Sequence, residues 1–266
     1  MAQVHIPARD SPKVRLMVLE TDEPHPDTQS ERGSFGQILH HHFSKAGERH
    51  HPPLAIETNQ VFVVTERGGR MPKREELDGY DGLLITGNLW VSRPDFHFTG
   101  VCFGHQLLSR LLGGIVGPAP SGDWELGHCR ININPTGQRL FRTRQNHIHL
   151  HQMHQDQVSA MPNHETAGGL LPGNTDVSCW GHSEHTPIQG LYIPDRLFTT
   201  QAHLAFDEDM VKRQIQIRVE KGSIQDLGHA DRAAETAHLE HDGGEVAKAI
   251  LRLFVYDDDG MGFERE

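Results

Sequence analysis

Thr99-Gly-Val-Cys-Phe-Gly-His-Gln106 is the stretch whose reading decides the fold. A short β-rich run (Phe96, Phe98, Val101) leads into Cys102, and an apolar-periodic run (Leu107, Leu108, Leu111, Leu112) leaves it. Strand, tight turn through Gly104, then helix is the outline of an elbow that pushes one side chain into a cleft. The helix that follows aims its first amides and positive dipole at that side chain. A thiol so placed is expected as thiolate, the form that attacks carbonyls. A cysteine can equally pack as a small buried hydrophobe; glycine on both sides of Cys102 favours the nucleophile.

Outward from the elbow, apolar runs alternate with helical ones. Val14–Leu19, Val61–Val64, Gly82–Gly87 and Thr99–Cys102 read as strands. Asp22–Arg32, with its prolines, reads as a loop. Ser34–Ala46 has helical apolar spacing, with Ser34 as N-cap. Such alternation implies an α/β fold, a doubly wound, mostly parallel sheet with helices on both faces. Sheets of this kind bind ligands at the carboxyl ends of their strands, where Cys102 and Gly87 fall. The second half reads as β-rich. Cys129–Asn134 alternates, Ile148–His154 continues as a strand, and Leu191–Ile193 with Leu197–His203 forms a hairpin turned at Pro194-Asp195. Asp207–Lys221 and a segment from Gly244 or Glu245 to Phe254 read as helices. A single domain over residues 14–256 is expected, between disordered tails at 1–13 and 257–266.

Composition narrows the function. The chain has 266 residues, 25 Lys and Arg against 36 Asp and Glu, and a net charge of −11. That balance disfavours nucleic acid and anionic membrane surfaces, which select basic proteins. No segment has the apolar length of a membrane span or the pattern of a secretory leader. Three cysteines (Cys102, Cys129, Cys179) form no disulfide framework, so a reduced, cytoplasmic compartment is expected. The 21 histidines include His147, His149 and His151, which would share one face of a strand. Imidazoles suit transition metals. No cysteine or carboxylate completes a ligand spacing here, so these histidines are read as structural, with no metal or other cofactor expected.

Several segments together resemble the class I glutamine amidotransferases, a family with a Cys-His-Glu triad on a flavodoxin-like sheet. They are Asp81-Gly-Leu-Leu-Ile-Thr-Gly87, Gly100-Val-Cys-Phe-Gly-His-Gln106, Leu150-His-Gln-Met-His-Gln-Asp156, Pro187-Ile-Gln-Gly190 and Gln201-Ala-His203. The likeness spans roughly residues 14–220 and is greatest to stand-alone GMP-synthase-like members without a fused synthase domain. By resemblance Cys102 is the nucleophile and His203 the general base. Gly87 and the Phe103 amide form the oxyanion hole. Gln106 contributes backbone to glutamine binding, and Met153 and His154 line the α-amino and carboxylate end of the substrate. The implied chemistry is hydrolysis of the γ-amide of glutamine, or of a γ-glutamyl peptide, through a cysteine thioester, with a separate partner accepting any ammonia.

Two departures from the family pattern bear on activity. The family places a glutamate two residues after the histidine, where this chain has Ala205. Asp207 and Glu208 are the nearest replacements, but lie beyond Phe206. An orienting carboxylate is worth about 10⁴-fold in kcat in serine-protease triads, so a weakened homologue that binds without turnover is the alternative reading. The second departure is the bridge Asn88–Phe98, shorter than the dozen or more residues a parallel crossover normally uses. Loss of a covering helix there is expected to expose apolar sheet surface.

Overall fold

A computed structural model describes residues 12–85, 96–173 and 175–255. Residues 88–95 of the short bridge, Gly87 and the expected tail at 257–266 lie outside these residues; the expected disordered tail at 1–13 ends earlier, because Lys13 already opens the first strand.

A seven-stranded sheet organises the molecule in the order β2-β1-β3-β4-β12-β11-β9. Its parallel part comprises β2 (Ala55–Phe62), β1 (Lys13–Glu20), β3 (Gly82–Ile85), β4 (His97–Val101) and β12 (Leu197–Thr200). β11 (Leu191–Ile193) and β9 (Ser178–Cys179) add antiparallel strands at one edge. β1 is buried along nearly its whole length, as a parallel strand covered on both faces must be. On one face α2 (Phe35–Glu48) and α7 (Gly243–Phe254) close over Leu16, Val18 and Leu84, with Phe43, Ile250 and Leu253 inserted between. On the other, α3 (Phe103–Leu111) sets Leu108 against Met17, Leu83 and Ile85. Leu83 and Ile85 are fully buried. The exposed sheet surface expected from the short bridge is therefore not found at β3.

Ser34 and Gln37 form a reciprocal capping box at the start of α2, as the sequence leads one to expect. Asp22–Arg32 is not all loop. Pro26 occupies the first turn of α1 (Pro26–Arg32), where its missing N–H costs nothing. The second strand also lies earlier than Val61–Val64: β2 begins at Ala55 and ends at Phe62. It is an edge strand whose middle, Glu57–Gln60, is polar and partly exposed, so the apolar run at Val61-Phe62 marks only its end.

The β-rich second half comprises β6 (Glu125–Ile133), β7 (His147–His154) and β10 (Gly181–His182), with β5 (Ile115–Pro118) pairing β8 (Asp156–Ala160). α4 (Pro135–Phe141) follows β6. α5 (Glu208–Glu220) and α6 (Leu227–Glu235) cover a third apolar cluster that includes Leu126, Met153, Phe206, Met210 and Ile215. Among the described residues no helix is long and apolar enough to cross a membrane.

Candidate active site

The carboxyl ends of β1, β4 and β12 lie at one edge of the sheet, and the residues that follow them meet there. Thr21 and Asp22 follow β1, Cys102 follows β4, and the segment after β12 supplies His203, Ala205 and Phe206. They line a pocket of about 140 Å³, walled also by Phe35, Ile38, Phe103, Met153, Met210 and Arg218.

Cys102 is the elbow expected from the sequence. Its backbone has φ 53° and ψ −105°, a conformation that ordinarily requires glycine, and α3 begins at the next residue. Non-glycine residues held there cost on the order of 1–3 kcal/mol and cluster at functional sites. The flanking glycines permit the turn. A Cβ on Gly104 would lie 1.9 Å from the Ile85 carbonyl oxygen, and one on Gly100 would lie 2.6 Å from the Gly104 carbonyl carbon. The Cys102 amide donates to Thr200 O at 2.8 Å, which ties the elbow to β12.

The electrostatics differ from the expected thiolate. Burial pushes the Cys102 thiol up to about 11, against the opposing pull of Arg218, the Phe103 amide and Gln201. Gln201 Nε2 lies 3.7 Å from the sulfur. His203 is driven down to about 3, first by burial and then by the positive fields of Arg218, His154 and His151. At neutral pH the pair is thiol and neutral imidazole, and no hydrogen bond joins them. One turn of helix dipole does not offset the loss of water around the sulfur.

His203 is pinned through its backbone, which donates to His151 O at 2.9 Å. Its ring lies face to face on Phe206, centroids 3.9 Å apart and planes 13° apart. Among the described residues no carboxylate bonds to it. Asp207 accepts from the Met210 amide as N-cap of α5 and pairs with Arg32, while Glu208 pairs with Lys212 at 2.6 Å. Neither replaces the missing acid, and Ala205 lines the pocket where it would stand.

The other expected residues divide. Phe103 and Met153 line the pocket. His154, the next residue on β7, points to the opposite face, as strand alternation requires. There its Nε2 meets Glu125 Oε2 at 3.0 Å and its Nδ1 meets Asp156 O at 3.0 Å. Thr186 and Gln189 donate to the same Glu125 oxygen. The His154 side chain is thus part of a buried polar network, outside the pocket. The Gln106 side chain is likewise turned away, donating to Asp156 O at 2.7 Å, and its amide bonds Cys102 O within the first turn of α3. Gly87 lies outside the described residues.

Sequence reasoning missed Arg218. It sits in the last turn of α5, half-buried, held by Gln214 and lying over the Trp124 ring at 5.9 Å. Among the described residues no carboxylate lies within ion-pair distance of it, though Asp22 of the same pocket acts on it at longer range. The only signal in the sequence was an arginine within an amphipathic helix, which reads equally as a surface residue.

His147, His149 and His151 share β7 with expected spacing, and His149 and His151 meet His128 of β6. The His128 and His149 rings stack at 4.8 Å. Among the described residues, no group of three His, Cys, Asp or Glu is placed to hold a metal ion.

Comparison with known proteins bears on the same region. Residues 88–209 match the family model described as glutamine amidotransferase class-I. A Saccharomyces cerevisiae protein whose name places it among glutamine amidotransferases is 29% identical over 156 residues, 59% of this chain and 55% of its own length. The match therefore spans about half of that relative. Gamma-glutamyl peptidase 3 of Arabidopsis thaliana is 25% identical over 191 residues, covering 63% of this chain and 71% of the peptidase. The crystal structure of a glutamine amidotransferase from Thermotoga maritima superposes with a TM-score of 0.54 at 17% identity, over 91% of this chain and 98% of that one. That likeness shows the fold alone.

Proposed function

Because residues 88–209 match the class I glutamine amidotransferase family model, we propose that the chain belongs to that family and hydrolyses the γ-amide of glutamine or of a γ-glutamyl peptide through a Cys102 thioester. The observation that carries the reading is the strained Cys102 elbow opening into the pocket that also holds His203 and Arg218.

In this mechanism Cys102 Sγ attacks the γ-carbonyl carbon as His203 takes the thiol proton. The Phe103 amide donates to the oxygen on which negative charge develops, as preorganised donors do in acyl transfer. The C–N bond then breaks and His203 delivers its proton to the departing ammonia or amine. Water, deprotonated by His203, cleaves the thioester to glutamate and restores the thiol. Among the described residues Arg218 makes no close ion pair, Asp22 acting on it only at longer range, and an α-carboxylate on the substrate would complete it. The apolar wall of Phe35, Ile38 and Met210 suits an amine leaving group larger than ammonia. The peptidase named above supports that substrate class. With glutamine itself, a separate partner would consume the ammonia.

A second reading, a homologue that binds γ-glutamyl compounds without turning them over, is favoured by Ala205 and by the neutral Cys102–His203 pair. One experiment separates the two. Purified protein and Cys102→Ala are assayed for glutamate release from glutamine and from γ-glutamyl dipeptides. A glutamine-analogue electrophile is mapped by mass spectrometry on the same preparation. The hydrolase reading expects turnover that vanishes in Cys102→Ala and label on Cys102. Saturable binding without glutamate release establishes the second reading instead.

A further inference from the structure

Loss of the triad glutamate leaves three tasks unfilled: fixing the plane of the imidazole, fixing its tautomer, and stabilising the positive charge it acquires. The chain does not leave the ring loose. Phe206, one residue beyond Ala205, lies parallel beneath the His203 ring at 3.9 Å. Phe206 is itself clamped. It is 4% exposed, and its far side meets Phe35 at the start of α2, rings 6.2 Å apart and 18° from parallel. Asp207, the next residue, is fixed by capping α5 and pairing with Arg32. The His203 main chain is held independently by His151 O. The ring is thus fixed at its root by β7 and over its face by an immobile aromatic platform.

We propose that Phe206 is a positioning residue for His203, a stacked aromatic serving where the family uses a carboxylate. This rests on the reading of Cys102 and His203 as the reacting pair. A flat apolar face restricts the ring to one plane and excludes water from that side. It also offers its negative π-face to an imidazolium as the proton arrives. A stack says nothing about which nitrogen carries the proton, so tautomer selection is the one task Phe206 cannot perform. That division separates Phe206 from a residue that only fills space, because a leucine of similar bulk packs without a flat face.

The test compares Phe206→Leu and Phe206→Tyr with the unaltered protein by three readouts at neutral pH. The first is the ring signals of His203 by NMR, assigned with His203→Gln. The second is kcat and KM for a γ-glutamyl dipeptide, and the third is thermal unfolding to confirm folding. The expected result for Phe206→Leu is a fall in kcat on the order of tenfold, a modest share of what acid–base groups supply, with KM within about twofold. The His203 ring signals shift and broaden as the ring leaves its fixed plane. Phe206→Tyr retains both properties. A folded Phe206→Leu with unchanged kcat overturns the proposal. If the unaltered protein cleaves no γ-glutamyl substrate, the hydrolase reading fails, and with it the positioning role.

Discussion

Ala205 is the residue at which this chain departs most sharply from the class I glutamine amidotransferase pattern it resembles, and the structure offers room to reverse the departure. Its side chain lines both the Cys102 pocket and an adjoining groove of about 630 Å³ that also reaches Lys45 and His42. A glutamate in its place would have that space to enter, beside an imidazole already held in plane. Ala205→Glu is expected to raise kcat by roughly tenfold or more, because the carboxylate selects the tautomer and stabilises the imidazolium. The 10⁴-fold seen in serine-protease triads is an upper bound. Steady-state hydrolysis of a γ-glutamyl dipeptide measures it; an unchanged kcat in a protein that still binds substrate would count against His203 as the base. The thiol carries a second expectation at this scale. Iodoacetamide reacts only with thiolate, and burial holds Cys102 near 11. Labelling of Cys102 should be slow at pH 7 and climb about tenfold per pH unit toward pH 10. It should still precede Cys129, which is held up at about 12. A rate already flat at pH 7 would show a preformed thiolate, and equal labelling of the two cysteines would remove the special status of the elbow.

At the scale of the element, the elbow joins β4 to α3 with a backbone that only the site justifies. In ordinary strands and helices glycine is less stable than alanine by roughly 0.5–1 kcal/mol. At Cys102 the positive φ reverses that order, so Cys102→Gly should unfold at higher denaturant than Cys102→Ala, by about 1 kcal/mol. Urea titration of the two variants checks it, and the ordinary order would mean the turn is unstrained. Gly104→Ala should instead cost about 1–3 kcal/mol as an overpacked contact, since its Cβ meets the Ile85 carbonyl. These features were legible beforehand because an elbow needs glycine at fixed offsets and an apolar helix behind it, a local pattern. Ser34 as cap and Asp207 before α5 were legible for the same reason. What was not legible depends on partners distant in sequence. The direction of His154 is set by Glu125, Thr186 and Gln189, and the approach of Arg218 by the docking of α5. The stack on His203 exists only because Phe206 is trapped between β7 and α2. β2 was misplaced because an edge strand need not be apolar, and α1 was read as loop because proline signals a break unless it opens a helix.

For the molecule as a whole, the surplus of histidine becomes a question of stability. His105 and His151 are wholly buried and neutral. Burial drives His105 down to about 3, where its ring bridges Thr199 Oγ1 at 2.8 Å and Ile188 O at 3.2 Å. His151 is driven to about 4 by burial and by the fields of His241 and His128, and neither ring nitrogen has a hydrogen-bond partner. His203, driven to about 3, belongs with them. In the unfolded chain all three rings titrate near 6.5. Between about pH 6.5 and 4 the unfolded state holds three protons that the native state refuses, so stability is greatest above 6.5 and falls as the medium is acidified. Each proton is worth about 1.4 kcal/mol per pH unit, so the three together give a slope approaching about 4. Against a typical stability of about 5–15 kcal/mol, that is enough to unfold the protein in mildly acidic solution. Carboxylates add to the slope only nearer pH 4.5 and below, so the interval from pH 6.5 to 5 isolates the histidines. Urea unfolding at half-unit steps across that interval should show ΔG falling by roughly three protons' worth of slope, with His105→Gln removing about one. A stability unchanged between pH 7 and 5 would mean that these rings are reached by water and already charged in the native state. The buried, neutral surroundings that set the Cys102–His203 pair would then have to be given up as well, since the same burial produces both.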